Sequence, residues 1–177
     1  MVEDKIKVFD NKVDRVTKEM LEHSVMSENS NFRIGWRDTD CGEQNIHSVW
    51  SHEFLSNTKI LSYIQSCIAE TDWFTNNILD KIIVNLVKSD DVHHIHTHRF
   101  NQVALYYINL NWQDGWYGET LFFDKFNTNN IVFASSFVPG RIVLFDGDIP
   151  HSIRPQSRIA TKFRMTLSLF YLKKENV

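Results

Sequence analysis

The sequence predicts an α+β fold in which helices from the first half support a β-sandwich or barrel built by the second half. Two observations predict it. Apolar residues recur at helical spacing in two stretches before residue 80, and six short apolar runs separated by Gly, Pro, Asn and Asp follow. At 177 residues, 42% hydrophobic and 13% aromatic, the chain can bury a core without disulfides, so one domain over 1–177 is expected. Its helical support would span about 1–80 and its barrel core about 81–172.

In chain order, Val13, Val16, Met20 and Leu21 mark a helix over about Asp10 to Met26. Asn31 to Trp50 is polar with scattered aromatics (Phe32, Trp36, Trp50) and reads as one or two short strands around a loop at Asp38 to Gln44. Ile60, Leu61, Ile64, Cys67 and Ile68 mark a second packing helix over about Asn57 to Glu70. Strands follow at Lys81 to Lys88, Val103 to Leu110, Thr120 to Asp124, Ile131 to Phe137, Arg141 to Asp146 and Phe163 to Leu172. No internal repeat, low-complexity tract or linker interrupts them.

Charge and cysteine content exclude several classes. With a net charge of −3 and scattered Lys and Arg, the chain has no basic footprint for nucleic acid. No apolar run approaches membrane-spanning length, and the first ten residues lack the apolar core of a leader peptide. Cys41 and Cys67 fit no C-x-x-C pattern and read as two reduced thiols. A soluble, cytoplasmic protein is expected.

The chemistry lies in the histidines. Side chains at i and i+2 of a strand share a face, so His96 and His98 can converge on one point, and His151, after the turn-forming stretch Gly147-Asp148-Ile149-Pro150, is the natural third member. Alternation also places His94 on that face, so spacing alone does not choose between the 94/96 and 96/98 pairs. A cluster such as His93-His94-x-His96-x-His98 also reads as a solvated loop.

From about Asn85 to Tyr171 the chain resembles the iron(II)- and 2-oxoglutarate-dependent dioxygenases, closest to the prolyl 4-hydroxylase-like branch of bacteria and phages. The resemblance is carried, in order, by Ile95-His96-Thr97-His98, Tyr106-Tyr107-Ile108-Asn109, Trp112 to Trp116, Tyr117-Gly118-Glu119-Thr120, Val138-Pro139-Gly140-Arg141, Ile149-Pro150-His151 and Arg164-Met165-Thr166. It implies a double-stranded β-helix of the jelly-roll or cupin type and a hydroxylase of a small molecule or peptidyl residue. Fe(II), 2-oxoglutarate and O2 would be its cofactor and cosubstrates. It implies His96, His98 and His151 as metal ligands, with Arg164 anchoring the far carboxylate of 2-oxoglutarate. Thr166 shares that arginine's face. A tyrosine hydroxyl is assigned to Tyr106, although it and its neighbour Tyr107 also read as core aromatics.

One departure matters most. The family's triad is two histidines and a carboxylate, and His98 occupies the carboxylate position. Three readings follow: a working three-histidine dioxygenase, a carboxylate supplied from elsewhere, such as Asp91 or Asp148, or a metal-binding relative without the oxygenase chemistry. A cupin-like metal protein that does not use 2-oxoglutarate is the alternative on the same architecture, and only the 2-oxoglutarate reading requires a buried Arg164. Arg154 and Arg158 read as exposed loop charges. Trp112, Trp116 and Tyr117 would form a substrate lip or a barrel cap, and His47 and His52 read as surface or packing residues.

Overall fold

Two antiparallel sheets face each other, and helices cover the outer face of the larger one. The computed structural model describes residues 5–26, 33–35, 49–53, 58–67, 77–91, 93–100 and 102–173. The strands are β1 (Ile6–Phe9), β2 (Arg33–Gly35), β3 (Val49–Glu53), β4 (Asn77–Val87), β5 (Gln102–Tyr107), β6 (Thr120–Phe123), β7 (Ile131–Ser135), β8 (Ile142–Asp146), β9 (His151–Ile153) and β10 (Arg164–Lys173). The helices are α1 (Arg15–Met26) and α2 (Thr58–Cys67). The larger sheet has the order β1-β8-β5-β10-β4-β3-β2 and the smaller β7-β6-β9. No helix of the described residues is long and apolar enough to cross a membrane.

All six predicted strands are present, with small changes at their ends. The expected loop at Asp38 to Gln44, with Cys41 and His47, lies outside the described residues. β1 and β9 were not predicted: at four and three residues they are too short for periodicity to register.

The first helix begins at Arg15 rather than Asp10. Residues Ile6–Phe9 are taken up by pairing with β8, and Asn11 turns the chain with φ of 57°. Asp14 then caps the helix: its carboxylate accepts the Thr17 backbone N–H at 3.0 Å and the Thr17 hydroxyl at 2.7 Å. The inward face is Leu21 and Val25, while Val16 and Met20 are exposed and Val13 is buried just before the helix. The apolar spacing counted from Val13 therefore mixed two faces.

Burial divides into two clusters, one on each side of the larger sheet. Val13, Leu21, Val25 and Ile64 pack with Tyr106, Leu144, Met165, Leu167 and Leu169 on the helix side. Phe100, Leu105, Tyr107, Phe122, Phe145 and Phe170 fill the space facing the smaller sheet. Covered on both faces, β5 and β8 read as continuous apolar runs rather than alternating ones. The inner face of β10, with Arg164, Thr166, Ser168 and Phe170, opens toward the second cluster.

Candidate active site

Backbone pairing brings the histidines together. The His96 N–H donates to the His151 carbonyl at 3.0 Å and the His151 N–H donates back at 2.9 Å, an antiparallel pair that sets both side chains on one face. This bridge adds the His96 segment to the edge of the smaller sheet beside β9. His98, two residues on, is held by its N–H to the Gly147 carbonyl at 2.7 Å. The imidazole centroids lie 4.4–4.9 Å apart, and one ligand atom from each of the three lies within 4.8 Å of the others. The chain comes so close at Gly147 that a Cβ there would lie 1.9 Å from the Phe100 carbonyl oxygen.

Hydrogen bonds set the orientation of two rings. Nδ1 of His151 lies 2.8 Å from the Ile149 carbonyl, and Nδ1 of His96 lies 3.0 Å from that of His94. A carbonyl only accepts, so each Nδ1 carries the proton and each Nε2 keeps its lone pair, the tautomer a metal ligand requires. Burial, then the neighbouring His96 and His98, hold His151 well below the usual histidine range. It is therefore neutral at physiological pH. Phe145 packs 4.8 Å from its ring and Phe122 at 6.0 Å.

Neither acidic candidate joins the imidazoles. Asp91 closes its own turn, accepting the Lys88 N–H at 2.7 Å, and Asp148 pairs with Lys125 at 2.5 Å on the surface. Among the described residues, the one group of three or more potential metal ligands is His96, His98 and His151. His94 contributes its carbonyl to His96 and is not in that group.

The second half of the site is a buried cation. Arg164, fully buried, donates its Nε–H to the Gly118 carbonyl at 2.7 Å and an Nη2–H to Thr120 Oγ1 at 3.1 Å. Burial pulls its pKa down to about 10, so the guanidinium stays charged. No carboxylate of the described residues pairs with it. Its Nη1, together with Thr166 Oγ1 and Ser135 Oγ, is buried without a hydrogen-bond partner. Thr166 shares the inner face of β10 with Arg164, as alternation predicts.

The tyrosine assignment is corrected. Tyr106 pairs with Leu167 and packs in the helix-side core, on the far side of the sheet from Arg164. Tyr107 pairs with Thr166 and faces the site. Its hydroxyl donates to Thr120 Oγ1 at 2.9 Å, and its ring lies 5.5 Å from the guanidinium carbon. Adjacent strand residues point to opposite faces, and the partners on β10 decide which of the two looks inward.

The tryptophan turn braces Arg164 from behind. Trp112 packs 4.3 Å from Phe137 and donates its indole N–H to the Tyr117 carbonyl at 2.8 Å, steadying a turn with φ of 59° at Tyr117 and 89° at Gly118. A Cβ at Gly118 would lie 3.2 Å from Trp112 and 3.3 Å from Arg164. Trp116 is buried and Tyr117 half-exposed, with the Arg154 guanidinium 3.8 Å over its ring. Arg154 and Arg158 are both exposed.

No protein-family model matches the chain, and no curated protein matches it in sequence. Solved structures do match. A prolyl hydroxylase from Trichoplax adhaerens, in complex with a hypoxia-inducible-factor peptide, aligns with a TM-score of 0.68 at 15% identity over 96% of this chain and 84% of that one. A prolyl-4-hydroxylase from Pseudomonas putida aligns with a TM-score of 0.65 at 14% identity over 98% and 97%. A viral collagen prolyl hydroxylase from Paramecium bursaria Chlorella virus-1 aligns with a TM-score of 0.64 at 10% identity over 97% and 93%. The chain therefore has the fold of the prolyl hydroxylases and 2-oxoglutarate–Fe(II) oxygenases.

Proposed function

We propose that this protein is an iron(II)- and 2-oxoglutarate-dependent dioxygenase that hydroxylates a C–H bond of a small molecule or peptidyl residue. On this reading the two facing sheets form a double-stranded β-helix. The observation that carries the proposal is Arg164, fully buried and charged, with Nη1 unpartnered and no carboxylate of the described residues in ion-pair contact, the Glu119 carboxylate acting on it only from a distance. A buried charge without a close counterion costs several kcal/mol. A carboxylate entering the cleft removes that cost, and it can also take a hydrogen bond from Thr166. A cupin-like protein that does not use 2-oxoglutarate has no need of this arrangement.

His96, His98 and His151 would hold one Fe(II), with His96 and His151 already oriented through their Nδ1–H donors and His151 kept unprotonated by burial. When bound, the iron and 2-oxoglutarate supply the oxidation: one O2, one 2-oxoglutarate and R–H become succinate, CO2 and R–OH. The protein supplies position and shielding. Arg164 and Thr166 would grip the far carboxylate of the cosubstrate, and Tyr107 holds Thr120 in place to accept from Arg164. Phe122 and Phe145 keep water from the His151 side.

Three imidazoles in place of two imidazoles and a carboxylate leave the centre one unit more positive, and the same donors also suit zinc, nickel or copper. The neighbouring Thr120, Thr166 and Ser135 hydroxyls provide polar lining but no compensating charge. The test is succinate release from 2-oxoglutarate by protein reconstituted anaerobically with Fe(II) and then given O2. Metal binding without 2-oxoglutarate binding, read by calorimetry, would replace this proposal with the cupin-like one.

A further inference from the structure

We infer that the molecule oxidised at this site carries a carboxylate, received by Lys81 and Arg99 where the cleft opens along β4. The inference rests on the dioxygenase reading and adds the substrate class to it. On β4 the residues turned to the helices, Ile82 and Val84, are buried, whereas Lys81, Ile83 and Asn85 on the other face are only half-buried. From Lys81 to Asn85 the inner face of β4 is thus less covered than the helix face. Lys81 lies directly across from Phe170, and Phe170 meets the His98 ring at 5.0 Å. This places Lys81 one side chain away from the imidazoles.

Two cations lie against Phe100 there. Lys81 Nζ lies 4.8 Å from the centre of the Phe100 ring and 5.1 Å from that of Phe170, and the Arg99 guanidinium carbon lies 5.5 Å from the Phe100 ring. Neither makes an ion pair among the described residues. Two cations against one aromatic ring give that rim a positive field, which attracts an anion. The cosubstrate does not fill this role, because Arg164 pairs with Val87 while Phe170 pairs with Lys81, six residues further along the β4–β10 ladder. The flanking rings offer no donors, so a singly charged carboxylate is less costly to bring in than a doubly charged phosphate.

The test uses the Fe(II)-reconstituted protein, saturating 2-oxoglutarate, and a set of N-acetyl amino acids and N-acetyl dipeptides, each as free acid and as carboxamide. Gain of one oxygen atom is followed by mass spectrometry. The expected result is oxidation among the acids, with kcat/KM about tenfold or more above that of the matching carboxamides. Lys81→Met and Arg99→Gln should raise KM for the acid and not for the carboxamide, and Lys81→Arg should restore the preference. Lys81 packs on two rings, so the wild-type acid-to-carboxamide ratio decides the matter if a variant does not fold. Equal use of acids and carboxamides, preference retained in the Lys81→Met/Arg99→Gln double variant, or oxidation of no acid overturns the inference. If 2-oxoglutarate binds in calorimetry, those results leave the dioxygenase reading standing; if it does not bind, both fall.

Discussion

Nε2 of His98 lies 3.1 Å from Nε2 of His151, although 53 residues separate the two in the chain. Two ring nitrogens at that distance share one proton or one cation, and the second His151 nitrogen is already committed to the Ile149 carbonyl. With His96 alongside, the arrangement favours a bound metal over three crowded imidazoles.

Removing either member of the backbone-paired set should therefore abolish tight metal binding. Loss of an outer hydrogen-bond partner costs metal affinity about 10–100-fold, so His96→Ala and His151→Ala, which remove ligands outright, should each cost more than about 100-fold. Metal content after dialysis against a weak chelator measures it. One equivalent retained by both variants would refute the ligand assignment.

Arg164→Met should separate binding from stability. It replaces a buried cation that makes no ion pair among the described residues by an apolar chain of similar length, so the thermal midpoint of the metal-free protein should hold or rise. Binding of 2-oxoglutarate should weaken by about 1.5–3 kcal/mol, the scale of a hydrogen bond to a charged group. Calorimetry and a melting curve on the same sample give both quantities.

The depressed pKa of His151 has a definite sign. In the unfolded chain this histidine takes up a proton near pH 6.5, while in the folded protein it does so only at lower pH. The unfolded state then binds more protons below about 6.5, so the stability of the metal-free protein falls as pH drops through that window and is unaffected by this group above it. Melting temperatures at pH 7.5 and 5.5 should show the drop, and His151→Gln should make it shallower.

Gly147→Ala tests the close approach that positions His98. Its new Cβ would meet the Phe100 carbonyl oxygen at 1.9 Å and the His98 carbonyl oxygen at 3.2 Å, both backbone atoms that cannot rotate away. A destabilisation of more than about 3 kcal/mol is expected, at the upper end for single substitutions. Urea unfolding of the metal-free variant reads it.

His98→Asp converts the site to two imidazoles and a carboxylate. The variant should still bind one divalent metal. One imidazole fewer has to be unprotonated for the metal to bind, so log affinity should depend less steeply on pH in acid. An unchanged slope would remove His98 from the ligand set.

The strand runs and both helices were legible because each leaves a local mark, whereas spacing left His94 open beside His96 and His98 until the structure gathered His96, His98 and His151. β4, β5, β8 and β10 are apolar and β-branched between turn signals, and His96 and His98 have the i, i+2 spacing of one strand face. The exposure of Val16 and Met20 has a local cause as well: Asp14 caps the helix, so it starts at Arg15, later than the apolar spacing implies.

What the sequence by itself determined was most of the elements, though not β1 or β9, the residue types of the centre and the presence of a histidine where a carboxylate would be expected. Tertiary structure alone decided that Tyr107 rather than Tyr106 faces Arg164, that Asp91 and Asp148 are engaged elsewhere, and that Lys81 and Arg99 each lie against Phe100. The physical reason is pairing. Alternation tells which residues of one strand share a face, but only the register between strands distant in sequence tells which face looks into the cleft and which side chains meet there.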